Sequence, residues 1–253
     1  MTDPSPSAPP TASSGGGLFF GEAAPRGRSG LLVEIAPLVV AALIVALLAA
    51  LVWLADRRER EEAGDALIRD TLWVEQALRF QVEAGEEAIE RLAFDMTAGH
   101  LGEDVVAARL ATIVSSRPEF SEAEWRGDLG EIRVAVPPDA APGRYADDAG
   151  RPFLRGFSAP RRVGGQTIVD LNVPVFDHDV RIGRLTAHLH LDRLLSLYVP
   201  WWISQNNHVT LTDVAGAEIA HKSAMTPVGG ARRHSLSFDP PLPGVFLVLT
   251  AHT

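Results

Sequence analysis

The sequence predicts an α+β protein in which a membrane-spanning helix runs straight into a long amphipathic helix, packed on a mostly antiparallel sheet. Three observations carry this. Residues 35–55 are apolar and uncharged throughout. Residues 56–98 contain no proline and repeat apolar or small side chains every three or four positions. Beyond Pro118 the pattern changes to short alternating runs separated by clusters of Gly and Pro.

The first 34 residues open with MTDPSPSAPPTASSGGG, which has too little apolar content to offset the entropy of ordering, and are expected to form a disordered tail. The run IAPLVVAALIVALLAALVWLA follows at 35–55. At ~1.5 Å per residue its length matches the ~30 Å hydrocarbon core of a bilayer. A cleaved signal peptide has a shorter apolar core and a shorter leader, so this segment reads as an uncleaved anchor. Arg26 and Arg28 precede it and Arg57, Arg58 and Arg60 follow it, which leaves its orientation open by charge. The chain has no cysteine, which suits an oxidising compartment, and 23 Lys and Arg against 32 Asp and Glu give a net charge of −9. That balance argues against nucleic acid as a partner, because phosphate recognition needs clustered positive charge.

The folded part is expected over residues 56–253, about 198 residues, as one domain or one and a half. In its first helix Leu67, Thr71, Val74, Leu78, Val82, Gly85, Ile89, Leu92 and Met96 make one stripe. The stripe is expected to pack on the sheet, and its membrane-proximal half to double as a parallel homodimer seam. A second helix spans 103–116 and stops before Pro118. Strands are expected at 131–136, 167–176, 182–191, 208–213, 217–221 and 245–252, with a short helix at 192–198.

The stretch NVPVFDHDVRIGRLTAHLHLD, residues 172–192, reads as a hairpin. On its first strand Val169, Leu171, Val173 and Val175 face one way and Asp170 and Asn172 the other; on its second, Leu185, Ala187 and Leu189 oppose Thr186, His188 and His190. Sharing an apolar face requires partners of equal parity. A loop at 177–181 with Phe176 opposite Ile182 satisfies this and sets Asp170 opposite His188; a three-residue loop instead leaves His188 one step along. His188 and His190 lie ~7 Å apart, and with Asp170 they could form a two-His-one-carboxylate set. His178 lies ~30 Å from His188 along the strand and cannot join them. The HxH spacing is not a zinc motif, so the polar face reads as a pocket wall or a solvated surface before a metal site. Elsewhere there is no GxSxG elbow, P-loop, GxGxxG or cysteine nucleophile. No catalytic residue, metal or cofactor is assigned. Trp201 and Trp202, after Pro200, are core aromatics by default and a pocket lid or membrane-interface anchor by alternative.

VPVFDHDVRIGRLTAHLHLDRLL resembles the hairpin of Cache-type, PAS-like extracytoplasmic sensor domains, and NHVTLTDVAGAEIAHK resembles the strand, turn and strand that follow it in many of them. GRPFLRGF, residues 150–157, is faintly similar to a segment on their ligand side. The resemblance spans residues 56–253. It implies a long helix on one sheet face and, on the other, a pocket for a small metabolite, with no catalysis in the domain. His188 stands where amino-acid-binding members carry an Asp, and their Y-x-R-x-W-Y motif is absent. The implied ligand is therefore an anionic metabolite held by Arg155 and a His, with Asp170, Asn172, His188, His190 and Trp201 around it. The resemblance also implies a periplasmic domain anchored by one span in the cytoplasmic membrane, and a last strand, LPGVFLVLTAHT, of the kind that precedes a second span and an output module such as a histidine kinase. An envelope metalloenzyme using Asp170, His188 and His190, or a ligand-free structural protein, are the competing expectations.

Overall fold

The structure is a computed structural model and describes residues 29–99, 101–138, 155–224 and 230–252. The expected disordered tail therefore lies outside the described residues, apart from the few that open the first helix. The chain divides into two compact units, Met1–Arg57 and Arg58–Thr253. Helix α1, Ser29–Gly99, contributes to both. In the first unit every large apolar side chain from Leu38 to Leu54 is exposed, and none of the helix's most apolar 18-residue window is buried. A core helix of a soluble protein would bury one side of such a run, whereas a helix apolar all round suits a bilayer.

In the second unit α1 turns its predicted stripe inward. Leu67, Thr71, Val74, Leu78, Val82, Ile89, Leu92 and Met96 are all buried. Gly85 belongs to the stripe because a Cβ there would stand 2.6 Å from Cε2 of Phe120, too close for any side chain. Helix α2, Glu103–Ser116, starts with Glu103 and Asp104 in its first turn, where carboxylates complement the exposed amides, and buries Val106 and Leu110.

Ten strands follow: β1 Phe120–Gly127, β2 Ile132–Val136, β3 Gly156–Phe157, β4 Arg161–Val163, β5 Gln166–Asp177, β6 Val180–His190, β7 Asn207–Thr212, β8 Glu218–Lys222, β9 Arg233–Ser237 and β10 Phe246–Ala251. Between β6 and β7 lie helices α3, Leu191–Tyr198, and α4, Trp201–Asn206. The single sheet expected from sequence is two. One has the order β2-β1-β6-β5-β3 with β4 also on β5, the other β8-β7-β10-β9, and every pairing is antiparallel. Both rest on α1. Phe120 of the first sheet meets it at Gly85; of the second, Asn207 bonds Asp70 at 3.2 Å, and the segment after β9 presents Phe238 to Arg79.

Strands β1, β3 and β4 of the first sheet and β9 of the second are additional to those expected, and the hairpin turn also differs. β1, FSEAEWRG, occupies the centre of the first sheet beside β6, yet its alternating charges had not suggested a strand; Phe120, Ala123 and Trp125 supply the buried positions. The hairpin closes with a two-residue turn, His178 and Asp179, rather than a five-residue loop. An even loop breaks parity, and a bulge at Ile182 restores it, so Phe176 pairs with Arg181 while Val175 still pairs with Gly183. The register beyond the bulge is the predicted one.

Candidate functional site

β5 and β6 are buried on both faces over most of their length. Their odd-numbered residues, Val169, Leu171, Val173, Val175, Leu185, Ala187 and Leu189, join the apolar core with α1. Their even-numbered residues make a polar face on the opposite side, where Asp170 pairs with His188, Asn172 with Thr186 and Ile168 with His190. Asp170, Asn172, Thr186, His188 and His190 are all buried, so each must find a hydrogen-bond partner.

Asp170 is the hub. Its Oδ1 lies 2.6 Å from Nδ1 of His188, and an ionised carboxylate only accepts, so Nδ1 carries the proton. The guanidinium of Arg161 grips the same carboxylate through Nε at 3.0 Å and one terminal nitrogen at 2.8 and 3.0 Å. Ser158 ties the strand from its far edge, its hydroxyl accepting the Asp170 amide at 2.9 Å. Burial pulls the Asp170 carboxyl up, but the His188 hydrogen bond, then the charges of His188 and Arg161, outweigh it and hold the carboxyl below the usual carboxylate range. Beside this hub, Thr186 donates to Oδ1 of Asn172 at 3.1 Å, and His190 Nε2 lies 2.6 Å from the hydroxyl of Ser121. Ser121 is the extra residue of a bulge in β1, which turns its hydroxyl toward His190.

Asp170, Asn172, His188 and His190 therefore come together as the sequence suggested, and Arg155 does not join them. Arg155 pairs with Glu90 of α1 at 2.6 Å and lines a groove of about 770 Å³ with Phe94, Val173, Pro174 and Phe176, on the helix side of the sheet. Trp201 starts α4, 64% exposed and edge-on to Trp202 at 6.1 Å; neither ring packs in a core. His178 sits at the hairpin tip with φ 55° beside Asp177. Among the described residues no three His, Asp or Glu side chains converge as a metal site would require.

Arg161 was missed, although a signal for it exists. RRVGGQTIVD carries a Gly-Gly pair between β4 and β5, and both glycines have positive φ, 59° and 84°. Such a pair marks a two-residue hairpin. The hairpin sets Arg161 opposite Ile168, one diagonal step from Asp170.

No family model matches the chain. The chain is 30% identical over 222 residues to the C4-dicarboxylate transport sensor protein DctS of Rhodobacter capsulatus, an alignment covering 87% of this chain and 33% of that protein. It thus spans about a third of the length of that relative. Among solved structures it resembles the ligand-binding domain of the Pseudomonas fluorescens chemoreceptor CtaA with L-serine, at TM-score 0.54 and 15% identity over 76% of this chain and 98% of the other. It also resembles that of the Pseudomonas aeruginosa amino acid chemoreceptor PctB with L-Gln, at TM-score 0.51 and 15% identity over 75% and 90%. At this identity the structural likeness speaks for the fold alone.

Proposed function

We propose that this chain, by fold and sequence a ligand-sensing input domain of the Cache type, takes a small dicarboxylate on the polar face of its first sheet. One observation carries the choice of ligand. The carboxylate of Asp170 already accepts from Arg161 and His188 on both oxygens, which uses its acceptor capacity. Asp170 is thus a poor receptor for a ligand amine, and the groups it orients, a guanidinium and an imidazole, are those that recognise carboxylates. Glu124, also on this face, is likewise occupied, by Arg126 at 2.5 Å. The name of the relative DctS points to the same ligand class. The chain acts by binding, and Asp170, Asn172, Thr186, His188, His190 and Arg161 form the site.

Titration calorimetry on the full chain in detergent is the test, with succinate as the C4-dicarboxylate probe and L-serine as the control. Succinate is expected to bind and L-serine not. Saturation at 100 times the dissociation constant adds about 2.7 kcal/mol to stability, an independent thermal readout. Binding of L-serine alone, or of neither, sinks the proposal.

On this reading the apolar helix anchors the chain in the cytoplasmic membrane and the second unit lies outside it. The chain has no cysteine of its own, so a membrane-impermeant maleimide should label Leu129→Cys, at a 94% exposed site, in intact spheroplasts. Labelling only after lysis reverses the orientation.

The homodimer seam moves to a different face of α1. The stripe first suggested for it is buried against the sheets, as described above. A second stripe, Trp73, Ala77, Phe80, Ala84, Glu87, Arg91 and Phe94, follows spacings of four and three and faces outward. Trp73 is 49% and Phe80 66% exposed, with Ala77 between them and Ala84 one step beyond Phe80. Large residues alternating with small ones at this spacing form knobs and holes for a second copy of the same helix.

A further inference from the structure

Resting on the dimeric-sensor reading above, we infer that Glu119 and Tyr198 are positioning residues that tie the polar sheet face to the seam on α1, so that occupancy of one alters the other. Glu119 stands just before β1 and is fully buried. Its backbone carbonyl accepts the amide of His190 at 3.0 Å, and its Oε2 accepts the hydroxyl of Tyr198 at 2.9 Å. Its Oε1 has no hydrogen-bond partner, with Arg117 the paired charge at 3.7 Å. A buried acid satisfied on one side only is costly, so its position depends on the neighbours that do hold it.

Those two neighbours lie at opposite ends of α3. His190 ends β6 and stands at the N-cap position of α3 without a side-chain capping bond, its ring on Ser121 in the polar face. Tyr198 closes α3, and with Leu197 forms one wall of a groove of about 460 Å³. The other wall is Trp73, Gln76, Ala77, Phe80 and Gln81 of α1, the outward face assigned to the seam. α3 is about 12 Å long, and its inner side, Leu191, Leu194 and Leu195, is fully buried. It is therefore clamped in the core, which leaves Glu119 as the hydrogen-bonded link between its two ends. A ligand that draws on His190 pulls, through the His190 amide, on Glu119. Glu119 passes the displacement to Tyr198 and so to the seam wall. The phenol is held firmly in this role: burial, then the hydrogen bond to Glu119 and its charge, push it up to about 12. It stays a donor across the physiological range.

The experiment uses the full chain in detergent with Ala84→Cys, the chain having no other cysteine, and reads the rate of disulfide formation between copies with and without succinate. Succinate should change the parent rate by ~5-fold or more, the low end of ordinary allosteric coupling. Tyr198→Phe should bind succinate as the parent does yet lose that change. Glu119→Gln keeps an acceptor for Tyr198 and should retain it. The inference is overturned if Tyr198→Phe responds to succinate as the parent does, or if its succinate affinity falls in step with the lost response, which marks a merely structural role. A parent that binds succinate without any change in rate also overturns it, while leaving the ligand assignment standing. A parent that does not bind succinate brings down the proposed function and this inference together.

Discussion

Asp170 shows how one side chain can organise a site without offering itself to a ligand. Removing it leaves Arg161 and His188 facing each other without the charge that holds them. Asp170→Ala is accordingly expected to cost about 3–5 kcal/mol, the range for breaking a buried ion pair, measured by urea unfolding. The pH dependence follows from its lowered carboxyl. As acid is added the unfolded chain takes up the proton first, so the stability Asp170 contributes is fully present above about pH 4 and is lost as pH falls through the native value. The gap in unfolding free energy between the parent and Asp170→Asn should therefore close on acidification below about pH 4; a gap that widens contradicts the assignment. That Asp170 and His188 share a face was legible in the sequence, because period-two alternation and shared burial fix parity; which of two registers of equal parity pairs them is decided by the two-residue turn and its bulge. Arg161 was not, because a strand of three residues carries no period of its own; its place is set by the Gly-Gly turn and the neighbouring strand.

At the scale of elements, the helices and long strands were read from pattern, and the misses have two causes. β1 was invisible because the polar-face positions of FSEAEWRG carry Glu124 and Arg126, which pair with each other, leaving a strand that looks like a polar loop. α4 leaves no helical signal in the sequence because six residues after a proline hold too few turns to show a period. α1 was legible down to its glycine. Gly85 falls on the buried stripe against Phe120, which is 1% exposed, with 2.6 and 2.8 Å from a would-be Cβ to the ring. Two effects oppose each other in Gly85→Ala. The helix gains about 1 kcal/mol in propensity, and the crowded core loses about 1–3 kcal/mol by overpacking. A ring locked between α1 and a sheet cannot step aside cheaply, so net destabilisation is expected by chemical denaturation. A stabilised variant would mean that Phe120 repacks freely and that this contact does not lock β1 to α1.

For the whole molecule the consequence of the fold is that α1 serves two clients with two faces. The inward face is committed to both sheets, so the seam proposed for this part of α1 falls on the outward stripe of Trp73, Ala77, Phe80 and Ala84. The sequence showed the inward stripe at once because it is continuous and apolar. It hid the outward one because Glu87 and Arg91 interrupt it with an ion pair at 2.6 Å. The two faces make opposite predictions for the same kind of substitution. Leu78→Ala, at a fully buried position, should lose about 2–5 kcal/mol of stability. Phe80→Glu lies two positions further on, where exposed substitutions usually stay within about 0.5 kcal/mol. It should leave the unfolding midpoint of the second unit unchanged while abolishing the dimer, because it sets like charges against each other across a two-fold seam. Sedimentation of the full chain in detergent, alongside the thermal midpoint, separates these outcomes. A Phe80→Glu chain that remains dimeric with an unchanged midpoint moves the seam off α1, and with it the groove that α3 is placed to control.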